Sequence, residues 1–208
     1  RYIRRQRQMC IRDRLMPLVA FGSQHTIIKY YSSYSNKNDR DSFMSSVILI
    51  PLFTIVPISL LVIEFHDLIG EFLSVQNPII ESYVWVIFLV AFATSYFEVF
   101  YSWARVQLKS VFGNFLKEIF PRLSVFSLLI CVYFGLINKE EFVWWLTGLY
   151  YLRLFIMIMY SFSLYFPKIT FSLPKNIGSI LTYSFYIFLA GSAAVSYTHL
   201  TLPTNVAV

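Results

Sequence analysis

The chain has 208 residues, of which 57% are hydrophobic, 19% are aromatic and only 13% are charged, and its formal net charge is +6. Soluble globular domains have about 25% charged residues, so this composition excludes an ordinary soluble enzyme or binding domain. The long apolar runs predict an all-α fold, a polytopic membrane helix bundle whose first partner is the lipid bilayer.

The two ends of the sequence carry most of the positive charge. Residues 4–14 read RRQRQMCIRDR and residues 195–204 read VSYTHLTLPT. A DNA string that encodes the first stretch also encodes the second on its opposite strand, one frame along, as a translated sequencing adapter does. We therefore interpret residues 1–14 and 195–208 as adapter and residues 15–194 as a transmembrane helical lobe that is a fragment. The alternative is a genuine basic N-terminal arm.

If residues 1–14 are adapter, the net charge of the remaining chain is much lower, and it indicates a different class of partner. Residues 1–14 hold six arginines and one aspartate, which contribute +5 of the +6 and leave +1 for the remainder. A net charge of +1 removes the indication of a nucleic-acid partner.

Apolar segments follow one another between the two ends. They are residues 15–31, 43–63, 82–104, 119–137, 141–166 and 177–194. Because about 20 apolar residues in a helix cross the hydrocarbon core, the pattern predicts about six transmembrane helices. Pro51 and Pro57 should kink the second helix, which a membrane bundle tolerates.

Basic residues are concentrated in alternate loops. Nine lie in or beside residues 32–42, 105–118 and 167–176, whereas the opposite loops, residues 64–81 and 138–141, hold only Lys139 and six acidic residues. The positive-inside rule then predicts that loops 32–42, 105–118 and 167–176 are cytoplasmic.

Polar and charged residues inside the apolar segments are the candidate substrate-binding residues. Arg153 lies near the middle of the fifth segment, and Glu98 is the only acidic residue well inside a segment. An uncompensated charge at the bilayer centre costs about 3 kcal/mol or more, so both should face the bundle interior. Other polar or aromatic residues share helical faces with them or lie in the first segment. The candidates are Arg153, Glu98, Ser95, Ser102, Tyr150, His25 and Lys29.

Each candidate also has an explanation that involves no substrate. Arg153 and Glu98 can form an ion pair that holds two helices together, or Arg153 can line a cavity and meet an anionic substrate, and the two roles are compatible. Lys29 fits a lysine that extends to the lipid head groups, and His25 fits a hydrogen-bonded packing residue. The sequence contains no phosphate-binding loop, no metal-ligand cluster and no close carboxylate pair, so it predicts no catalytic site, metal or cofactor.

Three stretches carry a family resemblance. They are FGSQHTIIKYYSSY (21–34), YFEVFYSWARVQLKSVFGNFLKEIFPRL (96–123) and FGLINKEEFVWWL (134–146). Together with the order and spacing of the segments, they resemble the oligosaccharide flippases. These are O-antigen flippase-like members of the multidrug/oligosaccharidyl-lipid/polysaccharide exporter superfamily.

The resemblance implies part of a larger two-lobed transporter in the bacterial inner membrane, with a central cavity and no enzymatic activity. Its substrate would be an oligosaccharide on undecaprenyl pyrophosphate, moved outward by alternating access for O-antigen, capsule or lipopolysaccharide synthesis. In such a protein Arg153 would contact the pyrophosphate, and Glu98 would be its partner or a site for a coupling cation.

Other function classes compete with the flippase interpretation. A cation-coupled multidrug exporter of the same superfamily would use membrane carboxylates, of which the segments show one. A membrane enzyme of polysaccharide assembly would need a polar catalytic loop, which the segment pattern lacks. A small six-helix protein without a transport role would require both ends of the sequence to be genuine.

Overall fold

The structure is a computed structural model that describes residues 20–74, 83–168, 170, 172, 174 and 176–200. Every regular element among these residues is helical. Residues Tyr31–Ser33 form a 3₁₀ turn, and residues Phe115–Ile119 form a π-helical turn. The α-helices are α1 (Ser23–Tyr30), α2 (Lys37–Glu64), α3 (His66–Ser74), α4 (Val84–Val106), α5 (Ser110–Asn114), α6 (Phe120–Tyr133), α7 (Lys139–Leu164) and α8 (Ile177–Leu200).

Three helices are long and apolar enough to cross a membrane within the described residues. They are α2, α4 and α7, and α8 adds a shorter apolar stretch, Ile177–Gly191. The predicted all-α membrane bundle is confirmed to this extent, and a count of six crossings stays a prediction. The elements α5, the π turn and α6 follow one another without a break. Residues 110–133 therefore form one helical rod, roughly 36 Å long at 1.5 Å per residue.

The helices extend past the apolar segments and correct the predicted loop bounds. Helix α2 begins at Lys37, where the Asn36 side chain accepts a hydrogen bond from the Asn38 backbone N–H at 3.3 Å. The predicted loop 32–42 therefore shrinks to residues 34–36. Likewise α4 ends at Val106 and α5 begins at Ser110, so loop 105–118 shrinks to residues 107–109. Hydropathy marks only the apolar part of a helix, whereas backbone hydrogen bonds continue through polar residues.

The other predicted boundaries have mixed outcomes. The described residues between α7 and α8 are not helical, in agreement with the predicted loop 167–176. The predicted loop 64–81 contains α3, and its second part lies outside the described residues. Helix α8 continues past residue 194 to Leu200, while residues 1–14 lie outside the described part of the chain.

Helix α4 is the centre of the packing. It packs most extensively against α7 and also against α1. Phe97 and Trp103 of α4 and Met157 of α7 are completely buried. The Ser161 hydroxyl donates a hydrogen bond to the Phe100 carbonyl at 3.0 Å and so links α7 to α4 directly. The residues predicted to bind substrate in these two helices therefore lie on or near one interface.

Two glycines allow close approaches between elements. A Cβ atom added to Gly113 would lie 2.4 Å from Cδ2 of the Tyr101 ring. Gly22 has a φ of +67° just before α1, and its added Cβ would lie 2.9 Å from Cβ of Ile187 in α8. Any larger residue at either position would push the elements apart.

Candidate functional site

The polar face of α4 is buried. Ser95 and Ser102 are inaccessible or nearly so, and Glu98 is 7% exposed. The Ser95 hydroxyl donates a hydrogen bond to the Ala91 carbonyl one turn earlier, at 2.8 Å, and so has a partner within its own helix. The face thus packs against other helices, which is one of the two roles that a small polar stripe plays in membrane proteins.

The Glu98 carboxylate forms an ion pair with Lys117. The Lys117 Nζ atom lies 2.8 Å from Oε1 of Glu98. Lys117 lies in the π-helical turn, and such turns inside α-helices are often found at functional sites. The sequence analysis had placed Lys117 in a cytoplasmic loop and considered only Arg153 as a cation for Glu98. The ion pair that the structure provides therefore links α4 to the rod of residues 110–133.

An aromatic stack runs along α4 beside this ion pair. The rings of Phe97 and Tyr101 are stacked, with centroids 6.1 Å apart and an interplanar angle of 15°. The Tyr101 hydroxyl donates a hydrogen bond to Oδ1 of Asn114. Lys117 Nζ and Arg105 Cζ lie 5.2 Å and 5.6 Å from the Tyr101 ring centroid. At these distances the ring face attracts both cations.

Arg153 lies at the other end of the stack. Its residue exposure is 4%, and its guanidinium carbon lies 4.1 Å from the Phe97 ring centroid and 5.0 Å from that of Tyr150. Arg153 therefore lies between two aromatic rings. Tyr150 is one of the predicted site residues, whereas Phe97 is not.

These side chains form one cluster, which we call the cation–aromatic cluster. Its members are Phe97, Glu98, Tyr101, Arg105, Lys117, Tyr150 and Arg153. Three cations and one carboxylate give it a formal charge of +2. In a medium of low dielectric constant such a cluster attracts anions more strongly than the same charges do in water. The chemistry it can support is anion binding by guanidinium and ammonium donors.

Tyr101, Arg105 and Lys117 were missing from the predicted set of site residues. The sequence signal for the first two was present, since Phe97, Tyr101 and Arg105 are spaced four residues apart and so share one helical face. Lys117 gave no such signal, because the π turn changes the direction of its side chain relative to a regular helix.

Lys29 belongs to a separate contact between α1 and α8, and His25 lies one turn before it in α1. Lys29 Nζ lies 3.8 Å from the Tyr183 ring centroid, and that ring meets Tyr30 edge-on at 5.8 Å between centroids. His25 is exposed. The nearby hydroxyls of Thr26 and Ser184 are 2.7 Å apart and also join α1 to α8. Neither His25 nor Lys29 is among the members of the cation–aromatic cluster.

A second buried carboxylate, Asp41, was not predicted. It is 1% exposed in the second turn of α2, and its Oδ1 atom accepts a hydrogen bond from the Tyr165 hydroxyl. Among the described residues its Oδ2 atom has no hydrogen-bond partner. The sequence analysis missed Asp41 because it precedes the apolar stretch 43–63.

Tyr165 titrates abnormally because of this contact. Burial raises the pKa of the Tyr165 hydroxyl to about 12, and the hydrogen bond to Asp41 and the charge of that carboxylate act in the same direction. Arg40 acts in the opposite direction. The Tyr165 hydroxyl therefore keeps its proton throughout the neutral pH range and donates it in the hydrogen bond to Asp41.

Comparison of the chain with protein-family models, curated proteins and solved structures found no match. The class of protein rests on the fold and the site. The described residues form an all-helical bundle with three helices that are long and apolar enough to cross a membrane, which indicates a membrane protein.

Proposed function

We propose that the chain is part of an exporter that moves a lipid-linked oligosaccharide across the bacterial inner membrane for cell-surface polysaccharide synthesis. The observation that supports this proposal is the cation–aromatic cluster, in which a buried Arg153, a partly buried Lys117 and an exposed Arg105 lie around the buried carboxylate of Glu98 and its aromatic neighbours. The pyrophosphate of an undecaprenyl carrier is complementary to such a cluster in charge and in hydrogen-bond acceptors. In this proposal the protein moves its substrate and does not transform it.

Arg105 and Lys117 are the cations of the cluster that a substrate would reach before Arg153. Arg105 is exposed and the Lys117 side chain is 35% exposed, whereas Arg153 is almost completely buried. A phosphate oxygen would compete with Glu98 for the ammonium group of Lys117. The carboxylate of Glu98, once released from Lys117, would be free to bind a proton or another cation. Movement of the rod of residues 110–133 relative to α4 would separate this ion pair, which provides a link between substrate binding and alternating access.

The test replaces Lys117 or Arg153 by glutamine in cells that carry the gene. Loss of a charge-assisted hydrogen bond worth about 1.5–3 kcal/mol should reduce surface polysaccharide at least about tenfold. Lipid-linked oligosaccharide should accumulate in the inner leaflet, and the amount of membrane-inserted protein should stay the same. The matched control is Lys168→Gln, which removes an exposed cation outside the cluster. Normal export by the Lys117→Gln and Arg153→Gln cells would refute the proposal.

A cation-coupled multidrug exporter is the second candidate. It is favoured by the two buried carboxylates, Glu98 and Asp41, because carboxylates in membrane helices are common sites for protons and sodium ions. In that case Glu98→Gln and Asp41→Asn cells should become sensitive to cationic drugs while their surface polysaccharide stays normal. Unchanged drug sensitivity would exclude this candidate.

A further inference from the structure

The π-helical turn Phe115–Ile119 divides the rod of residues 110–133 into two parts. Before the turn, the Phe115 backbone N–H still donates a hydrogen bond to the Val111 carbonyl, as in an α-helix. At the end of the turn, the Phe120 N–H donates to the Phe115 carbonyl, as in a π-helix. Such a turn holds one residue more than an α-helical turn. The second part of the rod is therefore offset by one residue from a continuous α-helix.

The two parts of the rod pack against different helices. Before the turn, Gly113 lies against the Tyr101 ring of α4. After the turn, Phe120 and Ser124 line a narrow cleft together with Tyr150 of α7. If the turn became α-helical, the two parts would rotate by roughly 100° and shift by about 1.5 Å relative to each other. The rod could then keep its contact with α4 or its contact with α7, but not both.

Pro121 follows the last hydrogen bond of the turn directly. Proline has no backbone N–H, and in a regular α-helix its ring clashes with the carbonyl four residues earlier, which here belongs to Lys117. A wider turn before the proline can carry that carbonyl away from the ring, whereas a regular α-helix cannot. Pro121 therefore disfavours a continuous α-helix at this point of the rod.

Lys117 lies within the turn, so the direction of its side chain depends on the turn. Its Nζ atom lies 2.8 Å from Oε1 of Glu98 and 5.2 Å from the Tyr101 ring centroid. We propose that Pro121 is a positioning residue, which keeps residues 115–119 in the π turn and so directs Lys117 to Glu98. The inference rests on the proposed function only where the ion pair meets a substrate, because the pair itself forms without one.

The coupling between Glu98 and Lys117 is the quantity that tests this inference. The midpoint of thermal unfolding is measured for the full chain in phosphatidylcholine nanodiscs, with Glu98→Gln, with Lys117→Gln and with both. The effects of the two substitutions should be non-additive by at least about 2 °C, since the two side chains interact directly. In a Pro121→Ala background the non-additivity should fall below about 0.5 °C, because the turn reverts to an α-helix.

Pro57→Ala is the matched control. Pro57 also lies inside a helix, α2, and it is exposed and is not a member of the cation–aromatic cluster. Its replacement should leave the coupling between Glu98 and Lys117 unchanged. A proline that only bends the rod would behave in the same way, and Pro121→Ala would then raise the midpoint and keep the coupling.

Deletion of Glu118 provides a rescue that depends on the turn itself. The deletion removes one residue from the turn, so that a continuous α-helix would join the same two contacts. Combined with Pro121→Ala, it should restore at least about half of the coupling. If Pro121→Ala alone does not fold, recovery of folded protein by the deletion supports the inference, and continued failure to fold overturns it.

Two further outcomes would overturn the inference. Equal coupling with and without Pro121→Ala would show that the turn does not depend on the proline. A loss of coupling that the deletion of Glu118 does not restore would show that Pro121 acts by a route other than the turn.

The proposed function fails in a different way. Normal export by Lys117→Gln and Arg153→Gln cells, together with loss of coupling in Pro121→Ala, would refute the exporter and leave the positioning role. Loss of export by those cells with unchanged coupling in Pro121→Ala would support the exporter and refute the positioning role.

Discussion

Glu98 determines how much of the positive charge of the cation–aromatic cluster is available to a ligand. Its carboxylate lies 2.8 Å from Lys117 Nζ and so occupies the position that a phosphate oxygen would take. Glu98→Gln should therefore bind undecaprenyl phosphate in nanodiscs about tenfold more tightly, equivalent to about 1.4 kcal/mol.

The control for this prediction is Glu118→Gln, which removes the same charge one residue beyond Lys117. Glu118 is exposed and pairs only loosely with Arg122, at 3.6 Å, so its replacement should leave the affinity unchanged. Weaker binding by Glu98→Gln would mean that Glu98 holds Lys117 in place for the ligand instead of competing with it.

Gly113 sets the distance between α5 and α4. An alanine there would place its Cβ atom 2.4 Å from the Tyr101 ring, and Tyr101 is only 5% exposed and has little space to move. Gly113→Ala should therefore destabilise the protein by about 1–3 kcal/mol, measured as a lower midpoint of thermal unfolding in detergent.

Gly148→Ala is the matched control in α7. Nothing lies within 4 Å of the added Cβ there, so the same substitution should be neutral or should stabilise the helix by up to about 1 kcal/mol. Equal melting of the two variants would contradict the close contact at Gly113.

The contact between Asp41 and Tyr165 links two elements, the second turn of α2 and the connection that follows α7. The pKa of Tyr165 is raised from 10.0 to about 12 in the folded protein, so the unfolded chain loses this proton at lower pH than the folded one. The stability that this group contributes is therefore complete below pH 10 and is lost as the pH rises through about 12.

Thermal unfolding measured across this range tests the link. In the Tyr165→Phe variant, the decrease in stability that Tyr165 causes between about pH 10 and 12 should be absent. The Tyr133→Phe variant, at an exposed position, should show the same decrease as the wild type. Identical alkaline profiles for the wild type and Tyr165→Phe would disprove the contribution of this contact.

The apolar parts of the long helices could be predicted from the sequence, because hydropathy identifies them. The apolar stretches of α2, α4 and α7 lie within the predicted segments, because their length and composition suffice to define a helix. Their polar ends were not found, since residues such as Lys37 and Arg105 carry loop-like composition while continuing the backbone hydrogen bonds.

The site was predictable only in part for a related reason. Arg153 and Glu98 lie in regular helices and are buried, as the cost of a charge in the membrane predicted, and Tyr150 beside Arg153 is partly buried. The pairing of Glu98 depends on the π turn, which no periodicity of 3.6 residues describes. Asp41 was missed because its burial comes from a partner far along the chain, Tyr165, and not from its neighbours in sequence.

At the scale of the whole molecule, the distribution of charge predicts the topology. Residues 34–36 and 107–109 should be cytoplasmic, and the turn between α6 and α7 should be on the opposite side. In a background without Cys10 and Cys131, a membrane-impermeant maleimide applied to intact cells should label Leu136→Cys but neither Ser35→Cys nor Gln107→Cys.

This labelling also determines whether the rod of residues 110–133 is a fourth crossing. Lysed cells provide the control, since all three cysteines should react once both membrane faces are accessible. If Gln107→Cys and Leu136→Cys react alike in intact cells, the rod does not cross the membrane.

The contact between Asp41 and Tyr165 also has a consequence for the order in which the bundle is assembled during synthesis. The two residues are separated by 124 positions in the sequence, and the hydroxyl contacts of Ser42 with Thr170 and Ser172 span 128 and 130. The ribosome therefore completes α2, α4 and α7 before any of these partners emerges. Asp41 must remain hydrated until then, so the first turns of α2 leave water later than the interface between α4 and α7.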